Sequence, residues 1–245
     1  ICVDKTGTLT QNRMSAELFA VAGERYSALQ EIASLPLQSA LGQALALNND
    51  VAEIDGIPSG EPTELALFEA ATAGGFQKKA LDLSYPRVAV VPFDSQRKQM
   101  TTLHKTREGH VAYIKGAPEA VLVQCQFEFR EGIKTPVDRS AIQEEALQLA
   151  SSGYRVLAVA MRDFTGAAEA PDKAIIEKDL TLLALVALIE PVRPEAPQAI
   201  ADCFTAGITP VMITGDHPGT AQAIAERLGI DIDDSSTLSG DELAQ

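Results

Sequence analysis

The sequence has no tryptophan, and aromatic residues make up only 5% of its 245 positions, so a core must be filled by Leu, Ala, Val and Ile. Its three cysteines, Cys2, Cys125 and Cys203, are odd in number, scattered and without a C-x-x-C pair. That argues against a disulfide framework or a cysteine zinc site and predicts three inert thiols in a reducing compartment. Basic residues are also scarce: Lys plus Arg number 20 against 34 Asp plus Glu, a net charge of −14. A general binder of nucleic acid or anionic membrane needs a basic face, so no nucleic-acid partner is expected; a small anion in a local basic pocket is still possible. His104, His110 and His217 form no metal-spaced set, and no G-x-x-x-x-G-K-[ST] phosphate loop occurs. The longest apolar run, residues 180–189 with Thr181 as its one interruption, is too short for a bilayer core, which needs about 20 helical residues. No signal peptide is visible. The sequence opens on Ile1 in mid-pattern, as expected of an excised piece.

At roughly 100–200 residues per domain, the length suggests one or two domains, and a 46% hydrophobic content supplies a substantial core. Residues 1–3 read as the end of a buried strand. Apolar residues at helical spacing predict a helix over 29–48, residues 58–62 read as a loop, and a second helix runs from Glu61 to the Gly74-Gly75 stop. Short, partly alternating runs at 88–92, 99–105 and 110–115 predict strands, with Glu108-Gly109 as a hairpin turn. Helices follow at 119–125 and 140–152, and strands at 155–161 and 182–189. The tail alternates helix 195–206, strand 210–213 and helix 217–228, the signature of a doubly wound parallel sheet. The ends therefore read as α/β, and the middle as an antiparallel α+β insert.

The strongest chemical signal is Asp4-Lys5-Thr6-Gly7-Thr8-Leu9-Thr10. It places a carboxylate at the C-terminal end of a buried strand, where ligands bind in open α/β sheets. Small residues follow whose amides and hydroxyls can face an anion. Asp4 is thus a candidate nucleophile for a phosphoryl group. This heptad resembles the phosphorylation signature of the P-type ion-pumping ATPases, and the chain resembles their cytoplasmic phosphorylation and nucleotide-binding domains from end to end. Val211-Met212-Ile213-Thr214-Gly215-Asp216 looks like the family's second phosphate-site segment.

The resemblance implies a haloacid-dehalogenase-like parallel α/β phosphorylation domain, discontinuous and incomplete, over residues 1–15 and 189–245. An inserted α+β antiparallel-sheet nucleotide-binding domain would occupy 16–188. The cofactors implied are ATP and Mg²⁺. Asp4 would accept the phosphoryl group, Lys5 offset its charge, and Thr214 and the Gly215 amide hold its oxygens, with Asp216 completing that segment. Asp4 and the Thr6 carbonyl would be metal ligands; a further Asp and a phosphate-binding lysine of the family pattern would fall after Gln245. Related phosphatases carry an acid at the position of Thr6, so Thr6 implies a long-lived aspartyl phosphate, acid–base help being typically worth about 10²–10⁴-fold.

Within the insert, four pieces resemble the family's ATP pocket. Glu64, in Glu61-Pro62-Thr63-Glu64, maps to the adenine side. Phe93, at the start of Phe93-Asp94-Ser95-Gln96-Arg97-Lys98, maps to the base-stacking ring and Lys98 to the pocket wall. Lys115-Gly116-Ala117-Pro118-Glu119 supplies a pocket lysine, with Gly116 permitting close backbone approach, and Arg155 maps to a phosphate contact. Glu190-Pro191-Val192-Arg193 resembles the hinge, usually Asp-Pro-Pro-Arg, with Arg193 as a nucleotide contact; Glu190 and Val192 depart from that pattern, and Ser95 stands where some members place a basic residue. The motif style is closest to the calcium-type pumps. The full-length protein implied has a transmembrane ion-transport domain and an actuator domain, with this chain at the cytoplasmic face of a membrane. Two other readings are a soluble phosphohydrolase with a large cap, and a non-catalytic nucleotide-binding module.

Overall fold

The computed structural model describes residues 1–130, 132–165, 170, 172–216, 218–230 and 237–238. In order the elements are β1 (Cys2–Asp4), a wide turn (Lys5–Leu9), β2 (Ser15–Val21), β3 (Glu24–Tyr26), a 3₁₀ turn (Leu29–Glu31), α1 (Leu35–Leu47), β4 (Ala52–Ile54), β5 (Ile57–Ser59), α2 (Pro62–Ala73) and α3 (Lys78–Ser84). Next come β6 (Arg87–Asp94), β7 (Gln99–Lys105), β8 (Gly109–Gly116), α4 (Pro118–Leu122), β9 (Cys125–Arg130), β10 (Ile133–Pro136) and α5 (Arg139–Ser151). The chain continues through β11 (Arg155–Thr165), α6 (Lys173–Ile176), β12 (Leu180–Ile189), α7 (Ala196–Thr205), β13 (Val211–Ile213) and α8 (Pro218–Leu228). Two compact units result: a smaller one of Ile1–Met14, Gln148–Arg155 and Ile189–Gln245, and a larger one of Ser15–Leu147 and Val156–Leu188.

In the larger unit the described residues form a sheet in the order β10-β9-β12-β11-β8-β7-β6, with β2 also on β12 and β3 on β2. The β6–β7, β7–β8, β8–β11, β9–β10 and β2–β3 pairs are antiparallel, while β9 and β12 run parallel. This mixed α/β architecture carries the antiparallel sheet expected of the middle of the chain. β12 is buried at every position, Thr181 included, as a run apolar at all its other positions requires. Packing against this sheet involves α1, whose Leu41, Ala44, Leu45 and Leu47 are fully buried.

Three local expectations need correction. The helix predicted over 29–48 is broken: Pro36 fits only the first turn of α1, and extended Ile32 separates that helix from the preceding 3₁₀ turn. The loop expected at 58–62 begins as strand. Ile57–Ser59 pairs with Ala52–Ile54 around Asp55-Gly56, where both residues have positive φ (53° and 79°), the conformation a tight two-residue hairpin needs. Finally, the helix predicted over 119–125 ends at Leu122, and Cys125 opens a strand instead.

In the smaller unit β1 pairs in parallel with β13, in the register Cys2↔Val211, Val3↔Met212 and Asp4↔Ile213. Leu9, Ile189, Ala196, Ile200, Ile224 and Leu228 form its core, with Val3 and Met212 packed against them. The described part of the last helix starts at Pro218; His217 lies outside the described residues. Gln148–Arg155, which the sequence reading set inside the insert, groups with this unit. Gly153 (φ +82°) is so close to α8 that a Cβ there would meet that of Ala223 at 2.4 Å, and Arg227 donates to the Tyr154 hydroxyl at 2.7 Å.

Candidate phosphoryl-acceptor and nucleotide sites

Asp4 is the last residue of β1, and its register partner Ile213 is the last of β13, so Asp4 and Thr214-Gly215 emerge side by side at the C-terminal ends of two parallel strands. Asp4 is exposed. Thr214 Oγ1 accepts from the Asp216 amide at 3.1 Å, and the space around Gly215 is open. After Asp4 the backbone turns sharply through extended Thr6 and left-handed Gly7 (φ 73°), and the Thr10 amide closes the turn on the Lys5 carbonyl at 3.1 Å. Gly7 is where a non-glycine residue would be strained.

Lys5 turns inward. Its ammonium lies 2.8 Å from Glu190 and 2.7 Å from Asp216, and the residue is 5% exposed. Burial works against its charge, but the bonds to Asp216 and Glu190 outweigh it and raise the pKa above the ordinary lysine value. Glu190 is the hub of this cluster. Besides Lys5 it accepts from the Thr10 hydroxyl at 2.5 Å and the Asn12 amide at 2.8 Å. Burial would push its pKa up, yet the bonds from Lys5 and Thr10 hold it below the usual carboxylate range. The Arg193 guanidinium donates to the Gly7 carbonyl at 2.8 Å and its amide to the Leu9 carbonyl at 2.8 Å, while Thr10 bridges Val192. Residues 190–193 are therefore stitched to the loop that follows Asp4.

In the larger unit a tight loop joins β6 to β7. Asp94 Oδ1 accepts from the amides of Gln96 and Arg97, both at 2.9 Å, and Lys98 closes the loop with φ 53° and its amide donating to the Asp94 carbonyl at 2.7 Å. Arg97 is used structurally, with a bidentate pair to Glu177 at 2.7 and 2.8 Å. Phe93 and Lys98 are left on the two flanks of the loop. Phe93 is 62% exposed, a large apolar ring left open to solvent. Lys98 pairs with Glu119 at 2.9 Å, both side chains being more than half exposed.

Lys115 sits deeper, on β8. It donates to Glu64 Oε1 at 2.7 Å, to the Asn48 carbonyl and towards Met100 Sδ at 3.3 Å. Asn48 caps the C-terminus of α1, and Glu64 lies in the first turn of α2, so each charge sits at the helix end whose dipole favours it. Burial lowers the Lys115 pKa despite the Glu64 charge. Gly116 makes its close approach to the chain itself: a Cβ would lie 2.5 Å from the Lys98 carbonyl oxygen. Lys98, Lys115, Gly116 and Glu64 are thus brought together, Lys98 and Gly116 through the β7–β8 backbone and Lys115 and Glu64 through their ion pair. Arg155 belongs to the smaller unit and is exposed at the start of β11. The sequence reading missed the partners: Glu190 as hub, Asn48 as acceptor, Glu119 on Lys98 and Glu177 on Arg97.

The family model described as "P-type ATPase, cytoplasmic domain N" matches residues 37–195. Among similar curated proteins is calcium-transporting ATPase 1 of Bacillus cereus, 36% identical over 99% of this chain and 28% of that protein. The probable cation-transporting ATPase F of Mycobacterium bovis is 37% identical over 100% of the chain and 30% of its own length. The calcium-transporting ATPase of Bacillus subtilis is 40% identical over 93% and 28% respectively. The chain belongs to the P-type ATPase family. It spans under a third of the length of these relatives. No helix among the described residues of this P-type ATPase chain is long and apolar enough to cross a membrane.

Proposed function

We propose that this chain carries the ATP-binding and phosphoryl-accepting parts of an ATP-driven cation pump. In this reading the larger unit binds adenine nucleotide and the smaller unit, a haloacid-dehalogenase-like phosphorylation domain, receives the γ-phosphoryl group on Asp4. The observation that carries it is the exposed Asp4 carboxylate beside Thr214-Gly215 at the ends of paired parallel strands. An Asp4 oxygen attacks the γ-phosphorus, the bond from that phosphorus to the β–γ bridging oxygen breaks, and ADP leaves with the electron pair. Thr214 and the Gly215 amide hold the phosphoryl oxygens. Lys5, held by two carboxylates, orients Asp216 and Glu190 around the acceptor loop. Water later cleaves the acyl phosphate. Thr6, unable to activate that water as a carboxylate would, keeps the intermediate alive for coupling to ion movement in a membrane domain, with an actuator domain as a further partner.

Magnesium fits the donors on offer, since Asp4 and the Thr6 carbonyl are hard oxygen ligands and Mg²⁺ is commonly held by one or two carboxylates plus water and substrate phosphate. The further Asp that the resemblance places after Gln245, together with substrate and water, would complete the shell. When bound, the ion would neutralise charge on the transferring group. In the larger unit, Phe93 would stack the adenine and Lys98 and Lys115 offset phosphate charge, with Glu64 on the adenine side and Gly116 holding the β7 backbone close. Arg155 and Arg193 are proposed to contact the phosphates from the smaller unit.

Titrating ATP against the chain and two variants tests the division of labour. Lys98→Ala should weaken binding about tenfold, the worth of one charge-assisted bond. Asp4→Asn should leave affinity unchanged while abolishing acid-stable labelling of the full-length protein by γ-labelled ATP. Equal loss of affinity in both variants would contradict separate binding and acceptor sites.

A further inference from the structure

Lys78, the first residue of α3, and Arg87, the first of β6, line a cleft of about 420 Å³ in the larger unit. None of its lining residues is assigned to nucleotide, and its volume falls within the range of small-molecule sites. The Arg87 guanidinium is fixed there. Its Nη1 donates to Asp50 Oδ1 at 2.6 Å, and its Nη2 to the carbonyls of Leu47, at 3.1 Å, and Asn49. An arginine has five N–H donors, so two are left uncommitted.

Lys78 is held more loosely. Its side chain is 15% exposed, and Asp82, one turn along α3, stands 3.7 Å from its nitrogen, beyond hydrogen-bond reach. That nitrogen is open to the cleft, since it is not among the unpartnered polar atoms sealed from solvent. The charges facing it are Asp82 on its own helix, Asp50 after α1 and Arg87 on β6. His104 on β7, its pKa pushed down to about 4, is uncharged at neutral pH. Burial holds the Lys78 pKa below the ordinary 10.5; Asp82 and Asp50 oppose that, and Arg87 adds to it. More free amine is therefore present than at a solvated lysine, and a free amine is a nucleophile. Lys79, next in sequence, is the contrast: its side chain is 78% exposed and pairs with Glu53.

We propose that Lys78 is a site of acylation by small acyl phosphates, with Arg87 facing the departing phosphate. The Nζ lone pair attacks the acyl carbon and the bond from that carbon to the phosphate oxygen breaks. Inorganic phosphate leaves with the electron pair, and the nitrogen gives up a proton to water. The two uncommitted Arg87 donors suit phosphate oxygens. The product is a neutral amide, which ends both the desolvation of an ammonium and its repulsion by Arg87, while Asp82, its side chain 43% exposed, reaches water. A carbamate formed from carbon dioxide would instead set a new anion beside Asp82 and Asp50, which disfavours that chemistry.

Peptide mass spectrometry after brief incubation of the chain with acetyl phosphate reads each lysine separately. Lys78 should be acetylated several-fold faster than Lys79, and the preference should vanish in the urea-unfolded chain. Asp82→Asn removes a charge that favours the ammonium and should speed Lys78 a few-fold with Lys79 unmoved. Arg87→Gln should slow Lys78 more with acetyl phosphate than with acetic anhydride, which carries no phosphate; a disturbed fold would slow both alike. Lys79 modified as fast as Lys78 in the folded chain, or a preference that survives urea, overturns the site. A slower Lys78 in Asp82→Asn overturns the charge argument, and equal slowing with both donors in Arg87→Gln overturns the assignment of acyl phosphates.

Discussion

Lys5 and Lys115 are both buried, both lie beside the side chains proposed to handle ATP, and differ in what surrounds the ammonium group. Lys5, in the smaller unit, has two carboxylates within 2.8 Å, and its pKa is raised. Lys115, in the larger unit, has one carboxylate, a carbonyl and a sulfur, and burial lowers its pKa. Burial opposes both charges; a second counter-charge reverses the outcome. The pH consequences are therefore opposite. The stabilisation from Lys5 is complete below its ordinary value of 10.5 and lost as pH rises through the higher folded value. Lys115 binds its proton more weakly when folded, so its unit gains stability as pH rises from that lower folded value toward 10.5.

Substitution should break this comparison most visibly. Lys115→Met leaves Glu64, whose side chain is 13% exposed, facing an apolar tip, and should cost the larger unit about 3–5 kcal/mol. Lys5→Met should cost the smaller unit roughly 1–3 kcal/mol: Glu190 keeps Thr10 and Asn12, but the buried Oδ2 of Asp216 loses its lysine partner. Hydrogen exchange within each unit reads the two losses separately. The double change Glu64→Leu with Lys115→Met should recover most of the loss, because removing both charges also removes their desolvation cost.

Acid sharpens the contrast next. His104 is fully buried on β7, and its Nδ1 donates to the Tyr85 carbonyl at 2.9 Å, which leaves Nε2 an acceptor without a partner among the described residues. Burial and the nearby Arg87 and Lys78 charges push its pKa down to about 4, against help from the Tyr85 carbonyl and Asp82. The unfolded chain takes up the proton near 6.5, so the larger unit should lose stability from pH 6.5 down to 4, by roughly 3 kcal/mol in all. Glu190 acts in the same direction in the smaller unit but later, losing its contribution as pH falls through a folded value below 4.5. Urea midpoints over this range in wild type and His104→Gln check it: the variant should lose the slope between pH 6.5 and 4.

Two glycines give the third contrast. Gly116→Ala places a methyl 2.5 Å from a backbone carbonyl, which has little room to move, and should cost about 1–3 kcal/mol. At Gly153 the obstacle is the Ala223 methyl together with a φ of +82°. Gly153→Ala should cost a similar amount, and adding Ala223→Gly should relieve the collision but not the backbone term of about 1–2 kcal/mol. Thermal melts of the single and double variants separate the two.

Much of this was legible. The strands at residues 99–105 and 110–115 and the apolar run of β12 announced themselves through composition and a Glu-Gly turn. The β2–β3 hairpin did not, because its turn is Ala22-Gly23. Both residues have positive φ, and an alanine at the position that favours Asn or Asp hides the signal. Cys125, the first residue of β9, falls in the predicted helix because the apolar residues after Pro118-Glu119 suggest a longer helix than forms. At the site, residue types were readable but partners were not. Glu190 appeared as a departure from the hinge pattern; only the fold shows it gathering Lys5, Thr10 and Asn12 from the other end of the chain. Long-range ion pairs carry no local periodicity, so no reading of spacing finds them.

The smallest effect is expected at Lys98 and Glu119, and it separates binding from stability. Their 2.9 Å pair is more than half exposed on both sides, and such pairs are worth about 0–1 kcal/mol in folding. The Glu119 pKa is lowered by the Lys98 hydrogen bond, so acid that protonates Glu119 frees the Lys98 ammonium. Glu119→Gln should therefore leave the melting temperature nearly unchanged. If Lys98 serves phosphate as proposed, releasing it from a competing carboxylate should tighten ATP binding by a few-fold, about half the worth of a charge-assisted bond. Lys98→Ala moves affinity the other way with the same small effect on melting. Affinities that rise in one variant and fall in the other, at constant stability, identify Lys98 as a ligand contact. A fall in both would mean the pair itself shapes the loop between β6 and β7.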